Sequence, residues 1–235
     1  MIRNIFANHG ITITEEQEQK LNQYYDLLID WNNKINLTSI VEYEEVIWKH
    51  FLDSAFFVSC DKVDLNEKKK VLDLGTGAGF PGMVLAILCP DYEFVLADSL
   101  NKRIEFLKVV IDRLQIHNVS VIHGRAEELG RDEKFRNQFD YVVSRAVAEL
   151  PVLLEYCIPF VKKGGYFVSY KSRRLDEEIE NADNALNMLY TKYDKKYKYE
   201  LEYDHSERYL VFFRCENITD SKYPRKPKKI KTNPL

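Results

Sequence analysis

The stretch Asp73-Leu74-Gly75-Thr76-Gly77-Ala78-Gly79-Phe80-Pro81-Gly82 decides the fold. It follows a short apolar run at 71–74 and opens a helix-length apolar stretch at 80–88. Four glycines in the eight residues 75–82 are more than a turn requires; they let a backbone approach a ligand closely and take positive φ without penalty. In an open α/β sheet, ligands sit beyond the carboxyl ends of the strands, near the point where strand order reverses. Pro81 is tolerated in a first helical turn. Gly77-x-Gly79-x-x-Gly82 formally fits a dinucleotide-binding pattern. Asp73 argues against it, because its carboxylate ends the strand where a pyrophosphate needs positive potential and free N–H groups. A carboxylate there suits a cationic ligand such as the amino group of a methionine moiety.

Outward from this loop, short apolar runs alternate with amphipathic stretches. Strands are expected at 71–74, 94–97, 119–122, 141–143 and 166–170, with helices at 80–88, 102–114, 150–161 and 175–189. Such alternation predicts an α/β fold, a mostly parallel sheet with helices on both faces. Tyr197, Tyr199, Leu201 and Tyr203 alternate with charged residues, a polar turn follows, and 209–213 is apolar. That reads as a C-terminal β-hairpin, bringing the sheet to seven strands with antiparallel members at one edge. Before the glycine loop, residues 14–60 read as helical. Thr14 and Gln17 form a capping box, Leu21, Tyr24, Tyr25, Leu28 and Trp31 share one face, and a second helix starts near Glu44. The chain thus divides into an N-terminal helical extension (1–66), a cofactor-binding core (67–215) and a basic tail (216–235). The tail has Lys or Arg at 222, 225, 226, 228, 229 and 231 and reads as a charged segment, not a core element.

The next strand ends at Ala97-Asp98, where an acidic side chain can accept hydrogen bonds from both hydroxyls of a ribose. The net charge of −3 gives no global attraction to nucleic acid, so any such affinity must be local. The hydrophobic fraction of 45% and charged fraction of 30% are ordinary for a soluble domain. Cys60, Cys89, Cys157 and Cys215 lie far apart, which argues against a zinc site or disulfide framework and for four small buried residues. No metal is expected. The N-terminus is too polar for a signal peptide, and no apolar run approaches a membrane span. The cytoplasm is the expected compartment.

Together with the glycine loop, five further segments carry a resemblance. They are Trp31-Asn32-x-x-x-Asn36-Leu37-Thr38, His50-x-x-Asp53-Ser54, Asp98-Ser99-Leu100-x-Lys102-Arg103, Gly124-Arg125-Ala126-Glu127 and Ser144-Arg145-Ala146. The loop looks like the first motif of class I S-adenosylmethionine methyltransferases, and the set resembles the RsmG (GidB) family of 16S rRNA guanine-N7 methyltransferases over nearly the whole chain. The tail resembles the family's ending but runs Pro227-Lys228-Lys229-Ile230-Lys231 where the family has a glycine. The resemblance implies a Rossmann-like methyltransferase fold, S-adenosylmethionine as cofactor and 16S rRNA as partner, in the small ribosomal subunit or an assembly intermediate. It also implies that Gly75, Phe80, Ala126, Glu127 and Arg145 contact the cofactor. Asp73, Gly77, Gly79 and Asp98 join them from the reading of the loop and the second strand.

Guanine N7 carries a free lone pair at neutral pH, so no general base is expected, and the work is positioning. Arg145 is the candidate for that role, engaging O6 or the RNA backbone, or else pairing with Asp73, Glu127 or Asp140. The RNA-binding candidates are Lys102, Arg103, Lys171, Arg173, Arg174, Arg225, Lys226, Lys228 and Lys229, three clusters expected on one edge of the sheet. His50 and Asp53, three residues apart on a helix, read as a buried hydrogen-bonded pair; Trp31 and Asn36 read as a core anchor and a turn. A monomer suits an enzyme that docks on a large particle. The alternatives are a methyltransferase of the same fold acting on a small molecule or protein, and a non-catalytic RNA-binding module.

Overall fold

Alternation along the strands sorts the core into two layers, one on each face of a single sheet. The computed structural model describes residues 1–145, 148–172 and 175–235. The strands are β1 (Lys70–Leu74), β2 (Glu93–Asp98), β3 (Val119–His123), β4 (Phe139–Arg145), β5 (Val161–Lys171), β6 (Thr191–Leu201) and β7 (Ser206–Cys215). Their order across the sheet is β3-β2-β1-β4-β5-β7-β6. The first five run parallel, and β7 lies antiparallel to both β5 and β6. This is the α/β architecture expected from the alternation of strands and helices. Strand order reverses between β1 and β4, so the cleft above that pair is the ligand position such sheets provide.

The helices follow the same alternation. In chain order they are α1 (Ile2–Asn8), α2 (Glu15–Ile35), α3 (Tyr43–Val46), α4 (Asp53–Ala55), α5 (Gly82–Leu88), α6 (Asn101–Leu114), α7 (Ala126–Leu129), α8 (Leu150–Cys157), α9 (Leu175–Glu180), α10 (Asp183–Met188) and α11 (Pro227–Thr232). Helix α2 begins with the expected capping box, Thr14 and Gln17 each bonding the other's backbone N–H. It stops at Asn36, which takes a left-handed φ of 48° as the turn residue foreseen. A π-helical turn, Ile47–Leu52, joins α3 to α4. Such turns bulge one extra residue into the helix and re-aim the side chains that follow.

One core layer joins α1, α2, the turn at 47–52, α5 and α6 to Val71, Leu96, Val143 and Val168; the other joins α8, α10 and α11 to Leu72, Val142, Phe167 and Val211. The four cysteines are free and buried. Three boundaries differ from the sequence reading. Helix α8 ends at Cys157, because Pro159 has no N–H to continue it. Helix 175–189 is broken by a turn at Asn181–Ala182, which keeps Leu175, Ala182, Ala185, Leu186 and Leu189 on the buried side. Strand β6 begins at Thr191, six residues before the first Tyr of the alternating pattern, because a bulge between Tyr193 and Lys195 masks the period.

The tail is a larger correction. Tyr223 and Ile230 are buried in the second layer and α11 packs on α8, so this segment is a core element as well as a basic one. Arg136 anchors it, donating to the carbonyls of Thr219, Asp220 and Tyr223 at 2.7–3.0 Å.

Candidate active site

The glycine loop is built from below. Gly75 and Thr76 N–H both donate to the Ala97 carbonyl, at 2.9 and 3.1 Å, tying the loop to β2. Asp73 is fully buried; its Oδ2 accepts from Thr76 Oγ1 at 2.6 Å and from Gly82 N–H at 2.8 Å. Burial, opposed by those two bonds, raises its pKa from 3.8 to about 6. Read from the sequence as facing a cationic ligand, Asp73 instead points under the loop and fixes its shape, and its Oδ1 has no partner among the described residues. Gly79, at φ +100°, has no room for a side chain: a Cβ would strike the Tyr24 hydroxyl and come within 2.9 Å of Leu107. Gly77, at φ +62°, has nothing within 4 Å of such a Cβ. The loop is therefore closed toward the core and open toward solvent.

Two cavities adjoin it and share Gly75, Asp98 and Ser99. The larger, about 780 Å³, is lined by Gly75, Gly77, Phe80, Asp98, Arg103, Arg145 and Lys171, and also by Thr38, Lys49, His50, Asp53 and Arg208. The smaller, about 460 Å³, is lined by Ala126, Glu127, Arg125, Tyr156 and, from the tail, Lys231 and Pro234. Most of the expected cofactor contacts are thus brought together. Asp98 is 3% exposed and holds three donors, Gly77 N–H at 2.9 Å, Leu100 N–H at 2.9 Å and Arg103 Nη1 at 3.1 Å. A carboxylate offers about four acceptor sites, so one is left for a further donor, where the sequence had offered the side chain to two hydroxyls.

Arg145 closes β4 beside the loop and is held by the N-terminal helices. Its Nη1 donates to Asp53 Oδ2 at 2.7 Å and to the Lys49 carbonyl at 3.1 Å, and its Nη2 lies 3.2 Å from His50 Nδ1. The guanidinium lies over the Phe80 ring, which stacks on His50 with centroids 4.4 Å apart. Its carboxylate partner is Asp53, where the sequence had offered Asp73, Glu127 or Asp140. His50 and Asp53 face the same way, as three-residue spacing requires, but each bonds Arg145 and not the other. Asp53 Oδ1 accepts from the Tyr199 hydroxyl at 2.8 Å, so the C-terminal hairpin also supports this corner.

Burial, and then the Arg145 charge, lower the His50 pKa from 6.5 to about 3. The folded state keeps this ring neutral while the unfolded chain binds its proton, so stability owed to His50 is present above pH 6.5 and is lost as pH falls toward 3. Urea denaturation of wild type and His50→Gln checks this. The advantage of the wild type at pH 7.5 is expected to shrink by about 2 kcal/mol at pH 5; a constant difference would contradict it.

The expected RNA contacts divide sharply. Lys102, Lys226, Lys228 and Lys229 are exposed. Arg103 is paired with Asp98, and Lys171 with Glu178 at 2.6 Å. Arg225 is a correction: it forms a bidentate pair with Glu155, a fully buried carboxylate, and so holds the tail rather than presenting a charge. Arg173 and Arg174 lie outside the described residues. The sequence reading missed Glu155, and it named Thr38 within a motif without giving it a role. Glu155 had a legible signal, as the one acid in the otherwise apolar helix Leu-Pro-Val-Leu-Leu-Glu-Tyr-Cys. Among the described residues no group of His, Cys, Asp and Glu is arranged to hold a metal ion, and no helix is long and apolar enough to cross a membrane.

The fold recurs in proteins of known structure. The Methanococcus jannaschii fibrillarin pre-rRNA processing protein matches with a TM-score of 0.52 at 18% identity, covering 66% of this chain and 70% of its own. The Aeropyrum pernix fibrillarin, solved with natively bound S-adenosyl-L-methionine, matches with a TM-score of 0.51 at 15% identity, covering 69% and 73%. At those identities the likeness is one of fold. In sequence, proteins named ribosomal RNA small subunit methyltransferase G from Lachnoclostridium phytofermentans and Alkaliphilus metalliredigens are 49% and 48% identical. These alignments cover 92% and 93% of this chain and 88% and 90% of theirs. The family model for rRNA small subunit methyltransferase G, GidB, matches residues 17–204, from the helix that carries Tyr24 through the strand that carries Tyr199. With the glycine loop, Asp98 and the Arg145 corner all inside that span, the chain belongs to the GidB family of small-subunit rRNA methyltransferases.

Proposed function

We propose that the protein transfers a methyl group from S-adenosylmethionine to N7 of a guanine in 16S rRNA. The observation that carries this reading is the open double cavity at the reversal of strand order, with the glycine loop on one side and Arg145, fixed by Asp53, on the other. The cradle fits the cofactor, because Gly77 leaves its approach clear and Asp98 keeps a free acceptor site. In this reading Gly75, Gly77 and Phe80 border the methionine portion, with Asp73 and Gly79 shaping the loop beneath it. Asp98 takes the ribose, and Ala126 and Glu127 flank the adenine. When bound, the cofactor supplies the activated methyl group, and the protein's work is to orient donor and acceptor. Arg145 borders the cavity in which the two would meet, and as a permanently protonated guanidinium it has no lone pair with which to act as a base. None is needed, because N7 already offers its lone pair.

RNA is taken to lie across the exposed lysines, Lys102, Lys226, Lys228 and Lys229, with Arg173 and Arg174 retained on sequence grounds. The chain is read as one unit comprising extension, core and tail, acting as a monomer in the cytosol on the small subunit or a precursor of it. Labelled S-adenosylmethionine offered with small subunits, naked rRNA and a protein-only control, followed by mass mapping, tests the reading. Label at a guanine N7 of 16S rRNA is expected; firm cofactor binding with label only on protein, or on no RNA, would overturn it.

Salt separates the two binding functions. If the four exposed lysines each neutralise one phosphate, a fourfold rise in salt weakens RNA binding roughly 100-fold. Cofactor binding, measured by calorimetry over the same range, is expected to stay within about twofold; parallel losses would refute the division.

A further inference from the structure

We infer that Thr38 selects the acceptor base, by presenting a hydroxyl proton that only an oxo substituent beside N7 can accept. The inference deepens the guanine reading above and rests on it.

Thr38 is fixed from two sides. Past the end of α2, Asn32 Oδ1 accepts from Leu37 N–H at 2.6 Å and from Thr38 N–H at 2.8 Å, folding the chain back so that Thr38 lines the larger cavity. Its Oγ1 lies 3.0 Å from His50 Nε2 and accepts from Ile40 N–H at 3.1 Å.

The direction of each bond follows from the groups involved. His50 Nδ1 lies 3.2 Å from Arg145 Nη2 and 3.2 Å from the Lys49 carbonyl. That carbonyl already accepts from Arg145 Nη1, and a guanidinium has donors and no acceptors, so Nδ1 is assigned as the accepting nitrogen. The opposite tautomer would aim its N–H at the Lys49 carbonyl, which already accepts from Arg145, and would leave Arg145 Nη2 facing a nitrogen with no lone pair to offer. A neutral imidazole that accepts at Nδ1 carries its proton on Nε2, and burial together with Arg145 keeps the ring neutral. Thr38 Oγ1 therefore accepts from His50 as well as from Ile40. A hydroxyl has two acceptor positions and one proton. Both acceptor positions are filled, and only the proton is left to point into the cavity.

This matters because guanine and adenine both present N7, and only the neighbouring group tells them apart. Guanine offers an O6 acceptor; adenine offers an N6 amino donor. A hydroxyl that could rotate would serve either base. Thr38, locked by Asp53, Arg145 and His50 in series, serves only the oxo group and leaves N7 unobstructed for the methyl.

The test uses RNA in the form the transfer assay identifies, carrying guanine or 2-aminopurine at the mapped position. The second base keeps N7 and lacks O6. Wild type is expected to prefer guanine by about tenfold in kcat/KM, the size of one hydrogen bond to a buried polar group. Thr38→Val is expected to lose that preference by slowing on guanine alone, while Thr38→Ser restores it and cofactor affinity stays unchanged. A wild-type ratio in Thr38→Val, whether at full rate or with both bases slowed equally, overturns the inference and leaves the guanine reading standing. Absence of guanine methylation by wild type removes both. Nitrogen NMR of the wild-type His50 ring is a check that needs no variant: a proton on Nε2 is expected, and a proton on Nδ1 overturns the inference.

Discussion

Glu155→Ala is expected to lower the free energy of unfolding by about 3–5 kcal/mol, the usual cost of breaking a buried ion pair from one side. Glu155 has no exposed surface and accepts from Arg225 through its backbone N–H at 2.8 Å, Nε at 2.9 and 3.0 Å, and Nη2 at 2.6 Å. Removing the carboxylate leaves a guanidinium, only 13% exposed, without its counter-ion. The segment around it then has reason to leave α8. Urea denaturation gives the size of the loss, and limited proteolysis after Asp220 reports release of the tail. Since Lys231 and Pro234 line the smaller cavity, cofactor affinity should fall as well. Replacing both partners with leucine should recover most of the stability, because apolar substitution of a whole buried pair is close to neutral. A loss below about 1 kcal/mol in Glu155→Ala would show that the pair does not hold the tail.

The second large effect is on turnover. In Asp53→Ala, Arg145 keeps the Lys49 carbonyl and His50 but loses the carboxylate at 2.7 Å. It is then free to swing into the cavity it now borders. A misplacement of about 1 Å in a positioning group can cost on the order of 100-fold in rate. That is the fall expected in kcat with RNA and cofactor both saturating, with a smaller change in cofactor affinity. Asp53→Asn should fall between the two, since its side-chain oxygen can still accept from the Tyr199 hydroxyl or from Arg145, but not as a charge. A kcat within twofold of wild type in Asp53→Ala would show that Arg145 is positioned without it.

Much of the fold was legible because its signals are local. The strand-loop-helix at 71–88 is written in eighteen consecutive residues, and Thr14 and Gln17 announce α2 on their own. The site was legible where it follows strand ends: Gly75, Asp98, Glu127 and Arg145 all fall just past or at the carboxyl ends of their strands. What escaped were pairings between distant segments. Asp53 and Arg145 are 92 residues apart, Glu155 and Arg225 are 70, and no periodicity connects them. Charge alone misled for the same reason. Arg103, Lys171 and Arg225 look like a nucleic-acid surface in the sequence, but the fold supplies each with a carboxylate. Asp73 misled differently: a strand-end carboxylate was expected to face the ligand, and the positive-φ loop turns the ligand side away from it.

The Tyr24 hydroxyl donates to the Ala78 carbonyl from beneath the loop, and its ring packs among Phe51, Phe80 and Phe106. This gives synthesis on the ribosome a definite order of events. Helix α2 emerges some fifty residues ahead of the loop it must support and has to wait with its aromatic face uncovered. Ile230 and the rest of α11 follow every strand and cover the opposite face of the sheet. Helices α2 and α11 act as clasps on opposite faces of the sheet, so a nascent chain that stalls before the second has closed carries the glycine loop but not the finished pocket.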